Sequence, residues 1–142
     1  MAEKTIDIAS PILSRNERLA DQLRQRFKET NTFVINVLSS PGSGKTTTIL
    51  GTNERLRDKA DLRCAVIEGD IASDVDAITM KEAGMPAIQI NTGGLCHLEG
   101  NMIMEAVDAF DQAVGLENID VIFIENVGNL VCPAEFDTGA VK

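Results

Sequence analysis

Basic residues are scarce in this chain: 13 Lys and Arg stand against 22 Asp and Glu over 142 residues, a formal net charge of −9. A nucleic-acid backbone or an anionic membrane surface is therefore a poor general partner, and any site for an anion has to be local. Long apolar runs are missing too. No stretch approaches the ~20 residues a membrane helix needs, and the opening MAEKTIDIAS has no apolar core of the kind a secretory signal carries. These absences lead to the expectation of a cytoplasmic protein. Cysteine is limited to three, an odd number that fits packing, metal or catalytic roles better than a disulfide framework. Internal repeats, low-complexity segments and linkers are absent as well, and the length suits one domain that buries about two-thirds of its unfolded surface.

What the chain does contain is a loop chemistry concentrated in LSSPGSGKTTTIL, residues 38–50. Gly42 and Gly44 flank Ser43 and let the backbone turn its N–H groups inward, where they can cradle phosphate oxygens. Lys45 adds a point charge, Thr46 places a hydroxyl where Mg²⁺ is ligated, and Thr47 lies in the first turn of a helix whose positive end faces the anion. The strict pattern G-x-x-x-x-G-K-[ST] asks for glycine where Ser39 stands, but its GSGKT core is intact. A glycine-serine turn ahead of a chance lysine is the plain alternative. The preceding apolar, β-branched run TFVINVL argues against it, because the loop then leaves a buried strand as the mechanism requires.

Ser10 and Pro11 mark a helix start, and Ile12, Leu19, Leu23 and Phe27 fall near one face, so residues 1–31 read as an amphipathic N-terminal helix. Whether it packs on the domain or on a second subunit is open at this level. Residues 32–142 alternate strand and helix: FVINVL, a helix over about 45–59, RCAVIE, a helix near 74–83, PAIQI, a helix near 99–114, and VIFIE. Such alternation implies βαβ units and a mostly parallel sheet with helices on both faces, an α/β fold of the P-loop NTPase kind. Ligands then collect at the carboxyl ends of the strands.

Those ends are polar. The second strand ends in Glu68-Gly69-Asp70 and the fourth in Glu125, and carboxylates such as Asp70 and Glu125 beside a phosphate loop can hold Mg²⁺ or its waters. Asp74 and Asp76 suit a solvated first helical turn. A second constellation lies in NTGGLCHLEG, residues 91–100, where Cys96 precedes His97, the single histidine. Cys132 follows the fourth strand in NLVCPAEF, so three soft ligands, suited to Zn²⁺ or Ni²⁺, can converge at the same edge. The residues alone leave equal room for two packed thiols and a helix-capping imidazole. Cys64, inside LRCAVIE, reads as core.

Taken together, SSPGSGKTT, VIEGDIASDVDA, CHLEG and above all ENVGNLVCPAEFD resemble the HypB family, nickel-insertion GTPases of nickel-iron hydrogenase maturation, over about residues 33–138. The resemblance implies GTP and Mg²⁺ at Gly42, Ser43, Gly44, Lys45, Thr46 and Thr47, with Asp70 in the first switch and Glu125 and Gly128 in the second. It also implies a nickel or zinc site of Cys96, His97 and Cys132 at the interface of a nucleotide-dependent homodimer. The partners it implies are another nickel chaperone or the hydrogenase large subunit. The family's histidine-rich or cysteine-bearing N-terminal extension has no counterpart here, and its guanine-reading N-K-x-D segment would fall after residue 142, so the fold is expected to be incomplete at its C-terminal end. Two other readings are a metal-binding module with lost nucleotide activity and a urease-type nickel GTPase.

Overall fold

The computed structural model describes residues 9–40, 42–69 and 74–142. Four parallel strands, β1 (Phe33–Val37), β2 (Cys64–Glu68), β3 (Ala87–Gln89) and β4 (Val121–Glu125), form one sheet in the order β1-β4-β2-β3. The two central strands, CAVIE and VIFIE, are buried at every position, which is why they read as unbroken apolar runs rather than alternating ones.

Helices cover both faces. On one side lie α1 (Ala9–Thr30) and α4 (Gly100–Val114), whose Leu23, Phe27, Ile103, Val107 and Phe110 join Val34, Ala65, Ile67, Ile122 and Ile124 in a single cluster. On the other lie α2 (Lys45–Ala60) and α3 (Asp74–Glu82), where Ile49 and Met80 meet Cys64, Val66, Val121 and Phe123. The strand residues divide by odd and even position, as the two-residue period of a pleated strand requires.

The N-terminal helix thus belongs to the domain core. Its buried stripe is Asn16, Ala20, Leu23 and Phe27, spaced by three and four, whereas Ile12, expected on the apolar face, is 51% exposed. Asn16 lies at the join: its Oδ1 accepts the first N–H of α4, from Gly100, at 2.5 Å, and its Nδ2 donates to Asp137 O at 2.8 Å. One of the orphan donors at the start of α4 is satisfied this way. At the outer edge of β1, Val141 N donates to Val34 O at 2.9 Å and Asn36 N to Lys142 O at 2.7 Å. No helix among the described residues is long and apolar enough to cross a membrane.

Candidate functional site

The loop after β1 turns through two left-handed glycines, Gly42 at φ 72° and Gly44 at φ 93°, with open space where a Cβ would stand. The demand for glycine here is therefore conformational, not a matter of crowding. Ser43 Oγ donates to Ser40 O at 2.8 Å and holds the turn. The first bond within α2 is Thr48 N to Gly44 O at 3.0 Å, so the amides ahead of it lie at the positive end of the helix, an arrangement suited to an anion. Thr47 is exposed in that turn, while Lys45 is only 6% exposed.

Glu68 and Glu125 are direct partners across the β2–β4 register. Since they share parity with Cys64, Val66, Val121 and Phe123, both face the α2 side of the sheet, and both are almost fully buried, at 1% and 2% exposure. Thr46 Oγ1 donates to Glu125 Oε1 at 2.9 Å, joining the first turn of α2 to the end of β4. A hydroxyl and two carboxylates, all oxygen donors at the foot of a phosphate loop, fit Mg²⁺ by donor chemistry. Asp70, the expected acidic residue of the first switch, lies outside the described residues. Glu68, which the sequence marks only as a strand end, is the carboxylate the register brings beside Glu125.

At the same sheet edge, the loop after β3 and the short helix α5 (Cys132–Glu135) bring two thiols together. Hydrogen bonding to Cys96, with burial second, holds the Cys132 thiol above its ordinary pKa. Cys96 Sγ lies 3.8 Å from His97 Nδ1, but the imidazole has other commitments. It stacks on Phe136 with centroids 3.8 Å apart and planes 11° from parallel, and its Nε2 lies 3.1 Å from Glu99 Oε1. Among the described residues no three His, Cys, Asp or Glu side chains gather as a ready-made metal group. The cysteines are brought together; His97 stands beside them in a stacked pose. Asn129 Oδ1 accepts from Val131 N at 2.8 Å and Cys132 N at 3.4 Å, fixing the start of α5. Leu95, Leu130 and Val131, at 40%, 58% and 68% exposure, leave an apolar surface around the thiols. Cys64 is core as expected, and burial pushes its thiol up to about 11.

The CobW/HypB/UreG nucleotide-binding domain model matches residues 33–140. The chain is 45% identical over 138 residues to hydrogenase/urease maturation factor HypB of Helicobacter hepaticus, covering 97% of this chain and 55% of that protein. It is 46% identical over 136 residues to hydrogenase maturation factor HypB of Escherichia coli, covering 96% and 45%. The crystal structure of HypB from Helicobacter pylori in complex with nickel superposes with a TM-score of 0.79 at 41% identity, over 89% of this chain and 57% of that one. The chain thus spans about half the length of the curated relatives it matches. The resemblance seen in the sequence and the parallel sheet with its glycine-rich loop agree with these matches: the chain belongs to the CobW/HypB/UreG nucleotide-binding domain family.

Proposed function

We propose that the chain is the nucleotide- and metal-handling portion of a GTP-hydrolysing metallochaperone that delivers nickel during hydrogenase maturation. The observation that carries this reading is the contact of Thr46 with Glu125, seven positions before Cys132 on the same strand-loop-helix segment. The buried carboxylate that receives the phosphate-loop hydroxyl and one of the paired thiols, Cys132, thereby share one continuous stretch of chain.

In this reading the loop amides of Gly42 to Thr47 and the Lys45 ammonium hold the triphosphate, while Thr46, Glu125, Glu68 and Asp70 form the Mg²⁺ side of the site. Bound Mg²⁺ supplies positive charge that offsets charge developing on the transferred phosphoryl group. Glu125 orients the attacking water; the Asn126 amide is fully buried and bonded on the other face of the sheet. Nickel is cargo, and zinc is taken by the same thiolates because both ions accept soft ligands. Cys96, His97 and Cys132 number three per copy, and the apolar surface around them suits pairing with a second copy, which completes the ligand set as a homodimer. Another nickel chaperone or the hydrogenase large subunit receives the ion in the cytoplasm. Urease is a second client, favoured by the wording of the Helicobacter hepaticus relative's name.

The test is binding of a fluorescent GTP analogue to wild type and Lys45→Ala. Wild type binds, and the variant loses at least about tenfold in affinity, ~1.4 kcal/mol, with an unchanged circular dichroism spectrum. A wild type that takes up Zn²⁺ or Ni²⁺ but no nucleotide is a metal-binding module, and the GTPase reading then fails.

A further inference from the structure

Glu125 and Asn126 are consecutive, yet they serve opposite faces of the sheet. Glu125 turns to the α2 side and receives the Thr46 hydroxyl. Asn126, with no exposed surface, bonds to the face that carries α1 and α4. Its Nδ2 donates to Asn36 Oδ1 at 3.1 Å, and Asn36 shares parity with Val34 of that face. Its Oδ1 accepts from Leu98 N at 3.2 Å and from Val127 N at 2.9 Å. Its own N–H donates to Val37 O at 3.2 Å, just before the phosphate loop.

One buried amide therefore ties the end of β1, the end of β4 and the loop that carries Cys96 and His97. Leu98 stands one residue after His97, and its fully buried side chain rests on Gly69 at the end of β2. Displacement of Glu125 along the chain axis thus reaches the cysteine-histidine loop through the hydrogen bond from Asn126 to a buried backbone N–H. Such a bond is costly to leave unmade, so the loop follows the amide instead of parting from it.

We propose that Asn126 is a positioning residue that transmits the nucleotide state sensed at Thr46 and Glu125 to the metal-binding loop through its bond to Leu98 N. This inference rests on the coupled nucleotide and metal sites proposed above, and goes beyond them in assigning the link to one side chain on the far side of the sheet. Serine is the informative replacement. Its hydroxyl keeps a small polar group at the site but is too short to reach Leu98 N.

The experiment measures Zn²⁺ affinity of the full chain against a competing chromophoric chelator, with no nucleotide, with Mg²⁺-GDP, and with a Mg²⁺-bound non-hydrolysable GTP analogue. Wild type is expected to change its Zn²⁺ affinity at least about fivefold between nucleotide states, the lower end of ordinary coupling. Asn126→Ser is expected to reduce that ratio below about twofold while each ligand alone binds within about threefold of wild type. A wild-type ratio in Asn126→Ser overturns the inference, and so does parallel loss of both affinities, which marks a merely structural role. Should that variant not fold, Asn36→Ala decides, since it withdraws only the partner that orients the amide: a reduced ratio supports the link and a full one refutes it. A wild type with no ratio overturns the coupled-site reading itself, and the inference falls with it.

Discussion

Replacing Gly69 by alanine tests how tightly the cysteine-histidine loop is seated on the sheet. Gly69 N donates to Glu125 O at 2.8 Å, so the backbone is held and cannot back away freely. A methyl group placed there lies 2.6 Å from Cγ, Cδ1 and Cδ2 of Leu98 alike, and Leu98 is fully buried. Gly69 does not occupy the left-handed region, so the effect is steric. Ordinary carbon contacts are about 3.5–4.0 Å, which requires Leu98 to retreat by ~1 Å. Rotation about χ2 alone gives no escape, because Cγ itself is struck and that rotation leaves it in place.

Overpacking of this kind costs about 1–3 kcal/mol, a fall in Tm of roughly 3–10 °C for a domain near this size. Leu98→Ala alone costs about 2–5 kcal/mol, yet it removes the atoms that the added methyl meets. Gly69→Ala made in the Leu98→Ala background is therefore expected to be near neutral, giving a coupling of about 1–3 kcal/mol between the two sites. Urea unfolding followed by far-ultraviolet circular dichroism measures all four proteins, the chain having no Trp or Tyr for fluorescence. An additive cycle, or a Gly69→Ala protein within about 0.5 kcal/mol of wild type, refutes the argument.

Three further outcomes follow from the same geometry. Glu125→Gln keeps an acceptor for Thr46 but removes the charge, so phosphate release is expected to fall by roughly 10²-fold, the scale of losing one preorganised electrostatic group; an unchanged Mg²⁺ titration of phosphate release takes Glu125 out of the site. Iodoacetamide at about pH 8, with peptide mass spectrometry, is expected to label Cys96 and Cys132 well before Cys64, whose buried thiol is pushed up to about 11 and stays protonated; equal labelling rates contradict this. Asp111 and Asp120 are held below the usual carboxylate range, first by the backbone N–H of Leu116 and of Arg63 at 2.9 and 2.8 Å. Because the folded values are depressed, their stabilisation is present above about pH 3.9 and is lost as pH falls through the folded values. Asp120→Asn should therefore lower the urea midpoint at neutral pH and flatten its acid decline, and an identical decline in the variant counts against this assignment.

Much of the nucleotide side was legible because its signals are local. The glycines, Lys45 and Thr46 act through adjacent backbone, and the apolar run before them already marks a buried strand. Strand order is a different matter. Nothing in the local pattern places β4 between β1 and β2, so the in-register pairing of Glu68 with Glu125 is not legible there, and Glu68 reads only as a strand end. The thiol pair was legible as a convergence at one sheet edge. The stacking of His97 on Phe136 depends on how α5 lies against the loop, a contact between distant segments with no sequence period behind it. The same holds for Asn126, whose partners come from three elements. Ile12 shows the reverse error: helical spacing marks a stripe but not how far the packed neighbour extends along it.

The strand order also sets a sequence of events in time. Of the four described strands β4 is synthesised last, and it is the one that joins β1 to β2: Phe33 of β1 pairs with Val121, and Cys64 of β2 with the same residue from the other side. Until residue 125 emerges, β1 lacks its partner among the described strands, and the glycine loop behind it has no fixed base. During synthesis β1 therefore waits exposed through three helices, α2, α3 and α4, and two further strands, an interval when apolar segments are open to aggregation. The Thr46–Glu125 contact forms only after that wait, since its carboxylate is itself the final residue of β4.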